Sequence, residues 1–162
     1  MEWAEALWET ELGKLLLTAA ISMVPVVELR GGIPFGIVRG LHPWEAYLAA
    51  VLGNMLPVPF VIIYIRQFLL WLRRTFPRLG GLVDQLEKKA HLKGRTVLKY
   101  RYWGLFLFVA VPLPGTGGWT GALVAAFLNM RLRHALLSIL AGLASAGGVM
   151  LLLTHTATGV LG

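Results

Sequence analysis

The stretch Pro25-Val26-Val27-Glu28-Leu29-Arg30-Gly31-Gly32-Ile33-Pro34 interrupts an apolar run with an acid, a base, two glycines and a proline. The run before it, Leu12 to Val27, is shorter than the about 20 residues that a helix needs to cross a bilayer. The piece after it, Phe35 to Leu41, is shorter still and stops at His42-Pro43. Two short arms around a Gly/Pro turn predict a re-entrant helical hairpin. The alternative is one tilted span followed by an irregular turn.

Working outward, Trp44 to Trp71 is apolar and long, with Pro57 and Pro59 inside it and Arg73-Arg74 at its end. It predicts a spanning helix, kinked near Gly53-Asn54 where the prolines withdraw backbone donors. A second short run from Leu105 breaks at Pro112-Leu113-Pro114-Gly115-Thr116-Gly117-Gly118-Trp119-Thr120-Gly121. Ala122 to Leu128 follows, then a polar joint at Asn129 to Arg133 and a spanning stretch from His134 to about Leu153. The order of hairpin, joint and span therefore occurs twice. Arg30-Gly31-Gly32 aligns with Thr116-Gly117-Gly118, and Ala46, Leu48 and Gly53 align with Ala135, Leu137 and Gly142.

Composition agrees with lipid as the solvent. Apolar residues make up 57% of the 162 and charged ones 14%, against roughly 25% charged in soluble domains; the mean hydropathy is +0.70. A single all-α integral membrane domain is expected: repeat 1 over 12–72, a basic linker over 73–101 and repeat 2 over 102–158. Because Glu2, Glu5, Glu9 and Glu11 stand where a basic leader would begin, a signal peptide is not expected.

The segment Arg73 to Arg101 carries as much positive charge as the whole chain, +7. By the positive-inside rule it is cytoplasmic, and Leu79, Leu82, Val83 and Leu86 sit at the spacing of an amphipathic surface helix. Nucleic acid is the weaker explanation of that charge. Arg131 and Arg133 join the same side, while the acidic N-terminus suits the outer face, so both termini are expected outside. A unit with one crossing must have its copy inverted, which predicts two inverted repeats whose hairpin tips meet near the midplane.

Polar backbone at membrane depth is tolerated only inside protein or beside a wet cavity. The two turns are therefore the candidate binding site: Glu28, Arg30, Gly31, Gly32 and Pro34 from the first, with Pro112, Pro114, Gly115, Thr116, Gly117, Gly118, Trp119 and Thr120 from the second. Helix ends after Gly31 and Gly117 would offer amides to an anion. Ionisable Glu28 and Arg30 are costly at such depth and read as functional: Glu28 as a proton carrier and Arg30 as a planar fork for phosphate or carboxylate. The plainer alternative has the pair closing the turn by binding each other or backbone groups. Trp119 is suited to covering an apolar tail, and Asn54 faces either the cavity or a neighbouring helix. Arg66 reads as an interfacial anchor.

With no cysteine in the chain, thiolate metal sites and cysteine chemistry are excluded. His134 and His155 lack a partner at ligand spacing, and no hydrolase triad, P-loop or dinucleotide fingerprint occurs. Neither a metal nor a cofactor nor enzymatic activity is expected.

At the two quoted stretches the chain resembles the small multidrug export protein family, and the resemblance extends over most of its length. More distantly it resembles the DedA superfamily, which implies paired re-entrant hairpins and transport of lipids such as polyprenyl phosphates. By that analogy Glu28 matches an acidic hairpin residue. The second hairpin lacks the arginines of DedA proteins, so Arg30 alone would hold phosphate. The implied activity is a secondary exporter or lipid flippase for an amphipathic, anionic substrate, acting as a homodimer among membrane lipids. A membrane scaffold docking partners through the basic segment is the alternative.

Overall fold

The computed structural model describes residues 9–75, 81, 94–111 and 115–161. Among these the chain is helical: α1 (Glu11–Ser22), α2 (Glu28–Val38), α3 (Pro43–Met55), α4 (Val58–Thr75), α5 (Gly94–Ala110), α6 (Gly118–Phe127) and α7 (Leu132–Leu161). The amphipathic helix expected around Leu79 to Leu86, Pro112 and Pro114 fall mostly or wholly outside the described residues.

The first interruption lies earlier than the sequence predicts. The chain leaves α1 at Met23 and re-enters a helix at Glu28, so Glu28, Arg30, Gly31, Gly32 and Pro34 belong to α2 rather than to a turn. Packing explains why these poor helix formers are accepted. A Cβ on Gly32 would meet the Ser22 side chain and the Thr18 carbonyl of α1, and one on Gly36 would meet Thr18 and Ala46. The glycines let three helices approach closely. Thr18 and Ser22 bury their hydroxyls there by donating to Lys14 O and Thr18 O within α1.

Pro57 and Pro59 break the helix, but at Leu56-Pro57 rather than near Gly53-Asn54 as the sequence predicts. Their missing N–H groups leave the carbonyls of Gly53 and Met55 without the usual helical donors, and the helix is interrupted at Leu56-Pro57 between α3 and α4. The pair still forms one apolar stretch, Pro43–Leu72, long enough to cross a membrane; Leu132–Ala157 of α7 is the other.

The short helices α2 and α6 end identically. Leu41 N bonds Gly36 O past Gly40 at φ +87, and Met130 N bonds Ala125 O past Asn129 at φ +47. Each is a Schellman stop with a left-handed residue and a buried apolar residue after it; Leu41 and Met130 are both buried. The same offset in sequence pairs Gly32 with Gly121, Ile33 with Ala122, Ala46 with Ala135, Ala50 with Ile139 and Gly53 with Gly142. All of these are buried or closely packed. The alignment of Arg30-Gly31-Gly32 with Thr116-Gly117-Gly118 is thus three residues out of register with the structure, whereas that of Ala46 and Gly53 agrees with it.

The two halves share a core. The long helix α7 packs on α2, α3, α5 and α6, and α6 packs on α4. Leu29, Ile33, Val58, Ile62, Val109, Ile139 and Leu143 fill the space between them. Tyr47 of α3 donates its hydroxyl to Ala144 O of α7 at 3.0 Å.

Candidate functional site

Helix α6 begins where the halves meet. Its first amides have no carbonyl behind them within the helix, and its N-cap, Gly117, has no side chain with which to satisfy them. The Glu28 carboxylate takes that place: Oε1 accepts from Trp119 N at a long 3.4 Å, and a Cβ on Gly117 would collide with the carboxylate. Glycine is required at 117 by this approach. A negative charge at a helix N-terminus is favourable by about 0.3–1 kcal/mol, and by more when partly buried.

Glu28 is 5% exposed and opens α2 at φ +50, a conformation that non-glycine residues adopt at a cost of roughly 1–2 kcal/mol. Arg30, two residues on, reaches the same seam. Its Nη2 donates to Thr116 O at 2.5 Å and to Thr116 Oγ1 at 2.9 Å, while Thr116 Oγ1 donates to Val111 O at 2.6 Å. Trp119 closes the other side, its indole Nε1 donating to Met23 O at 3.0 Å. Three residues of the first half, Met23, Glu28 and Arg30, are therefore bonded to two of the second, Thr116 and Trp119.

Asn54 completes the cluster from α3. It is 0% exposed, its amide acts on the Glu28 carboxylate, and its Oδ1 would lie 2.7 Å from a Cβ on Gly118. Neither Oδ1 nor Nδ2 has a well-formed hydrogen bond. Leaving such a buried amide unmatched costs about 1–3 kcal/mol. Leu143 of α7 approaches Gly118 as well, with Cδ1 3.4 Å from the same point, and it occupies the position in the second half that Asn54 occupies in the first.

The other predicted residues fall into place around this cluster or away from it. Gly31 and Gly32 face Val27 and Ser22 and serve helix packing, Pro34 lies within α2, and Gly115 turns the chain at φ +85. Thr120 Oγ1 donates to Gly117 O at 3.3 Å, bracing the start of α6. The amides after Gly117, expected to suit an anionic group, face an internal one here: the Glu28 carboxylate bonds Trp119 N. Helix α2 offers no counterpart after Gly31, because Gly31 N already donates to Val27 O.

One participant escaped the sequence reading. Arg66 of α4, read as an interfacial anchor, also donates its guanidinium to Met130 O, just past the end of α6. Helix α6 thus has a carboxylate at its positive end and a guanidinium at its negative end, both supplied by the first half. No local signal marks a bond between residues so far apart.

Large apolar side chains such as Val26, Val38, Tyr64, Leu137 and Leu152 are exposed, on a scale that water-soluble monomers do not tolerate. Together with two apolar helices of crossing length, they define a helical membrane protein. The family described as "Putative small multi-drug export protein" matches residues 28–149, which include both the Glu28 cluster and the start of α6. The chain belongs to that family. No curated protein and no solved structure matches it, and the likeness to DedA proteins gains no support from these comparisons.

Proposed function

We propose that this chain is a secondary exporter or lipid flippase that moves an amphipathic, anionic substrate, such as a lipid phosphate, along the seam between its halves. The observation that carries the reading is the meeting of Glu28, Arg30 and Asn54 with the start of α6, where the break before α2 faces the break before α6. Ionisable residues are retained at such depth for a pathway or a relay far more often than for stability. Glu28 exchanges a proton with the gradient, and Arg30 engages the anionic headgroup when it leaves Thr116.

The architecture is that of two inverted repeats, with α1–α2 and α5–α6 as re-entrant hairpins. Helix α2 has 11 residues and α6 has 10; at 1.5 Å per residue each reaches only about half of a hydrocarbon core roughly 30 Å thick. Their matching Schellman stops and matching buried positions support the repeat. In this reading residues 73–101 are cytoplasmic, both termini are outside, and two copies of the chain associate to seal the pathway within the lipid.

The test is flux in proteoliposomes with an imposed pH gradient, using fluorescent lipid phosphates and amphipathic dyes. Glu28→Gln and Arg30→Ala should each reduce flux at least tenfold while the purified variants remain monodisperse. Undiminished flux in both would remove the site. The concentration of charge in 73–101 favours a second reading, a scaffold that docks partners or anionic lipids there. On that reading, neutralising Lys88, Lys89 and Lys93 would abolish function while Glu28→Gln would not.

A further inference from the structure

The start of α6 is already filled, but by a group that has somewhere else to go. Glu28 holds it through a single long contact, Trp119 N to Oε1 at 3.4 Å. Beside that carboxylate lies Asn54, fully buried, its amide acting on the carboxylate but with neither its donor nor its acceptor in a well-formed hydrogen bond. A buried amide in that condition points to an occupant that this conformation does not supply. Its counterpart in the second half is the apolar Leu143, which packs on the same glycine. Packing at this position therefore does not require a polar side chain.

We propose that the N-terminus of α6, with Arg30 beside it, is an anion-headgroup site that Glu28 occupies in this conformation, and that Asn54 receives Glu28 in its neutral form when the anion enters. This deepens the transporter reading and rests on it for the substrate class. The exchange balances in protons. One proton from water joins the Glu28 carboxylate, the resulting O–H donates to Asn54 Oδ1, and the N–H of Trp119 is released to the incoming anion. One negative charge replaces another at the positive end of α6, so the site never holds two anions or none.

The surroundings leave Glu28 as the group that titrates. Arg30, on its own helix, is the charge that acts on it. From α1, α3, α6 and α7, no acid, base or histidine is recorded against it among the described residues; α3 brings the Asn54 amide and α6 the backbone of Gly117 to Trp119.

The test is equilibrium binding to the purified full chain in neutral detergent between pH 8 and pH 6. The probe is dihexanoylphosphatidylglycerol, a phosphodiester whose single charge is constant over that range; inorganic sulfate is run in parallel. Co-binding of one proton requires the wild-type dissociation constant to fall by about tenfold per pH unit lowered. Glu28→Gln, neutral at every pH, should bind tightly with no slope, and Asn54→Leu should bind at least tenfold more weakly than wild type at pH 6. Response to both probes identifies the anion alone as the determinant, and response to the lipid alone adds the acyl chains; either supports the site. A Glu28→Gln protein that keeps the wild-type slope, or an Asn54→Leu protein that binds like wild type, overturns the proposal. Binding with this signature but no flux in vesicles would sink the transporter reading and leave the anion site standing.

Discussion

The two halves of the molecule end their short helices alike and bury the same positions, yet they differ where they meet. Where the first half has Glu28 the second has Gly117, and where the first has Asn54 the second has Leu143. Gly117 and Glu28 touch, and Asn54 and Leu143 converge on Gly118. The difference separates architecture from chemistry. Both halves carry the fold, but the first supplies the side-chain charge and the buried amide while the second supplies bare helix-end amides to receive them. A carboxyl placed in both halves would bring two together, and in low dielectric one of them would have to take up a proton.

The largest effect should come from erasing that asymmetry at its tightest point. Gly117→Ala puts a methyl where the Glu28 carboxylate lies, so the carboxylate must leave the α6 N-terminus. Overpacking and a lost cap together predict a loss of about 2–4 kcal/mol, measurable as a lower midpoint of denaturant unfolding in detergent. An unfolding midpoint like that of wild type would show that the contact between halves is dispensable.

Packing within the halves also differs. A Cβ on Gly53 would run into the main chain of Ala19, whereas one on Gly142 meets the Val109 side chain at 2.7 Å and main chain, the Phe106 carbonyl, only at 3.0 Å. Backbone cannot repack as a side chain can. Gly53→Ala should therefore destabilise by about 2–3 kcal/mol and Gly142→Ala by about 1 kcal/mol. Thermal unfolding of the two variants side by side checks the order, and equal losses would mean that the halves pack alike.

Replacing the polar member of the second pair should do the opposite to stability. Asn54→Leu copies Leu143 and removes a buried amide that has no well-formed hydrogen bond, so a gain of about 1 kcal/mol is expected, with some of the desolvation benefit offset by tighter packing and by the lost action on Glu28. A fall in stability would mean that Asn54 is a structural residue. The smallest change expected is in Trp119→Phe, which keeps an aromatic ring, though a smaller one, but takes the donor from Met23 O; about 0.5–1.5 kcal/mol should be lost.

How far the sequence can be read follows from which forces are local. Pro57 and Pro59 interrupt a helix because they lack donors, and that holds wherever they are placed. Gly31, Gly32 and Pro34 have the same local signature but sit inside α2, because the approach to Thr18 and Ser22 outweighs their poor helix propensity. The break fell at Met23 to Val27, where Pro25 lacks the donor that would continue α1. Of the candidate site residues, Glu28, Arg30, Asn54, Thr116, Gly117, Gly118 and Trp119 converge, while Gly31, Gly32 and Pro34 turned out to serve α2 itself.

From the sequence alone came the membrane character, the two interruptions, the repeated order of elements and the ionisable pair worth watching. Each follows from composition or from spacing along the chain, which lipid and backbone chemistry act on directly. Tertiary structure alone decided that Glu28 caps α6, that Arg30 holds Thr116, that Arg66 holds the far end of the same helix and that Asn54 is left unmatched. Those contacts join residues from different halves of the chain. Their partners are chosen by how the described helices pack, and no local pattern of residues encodes that choice.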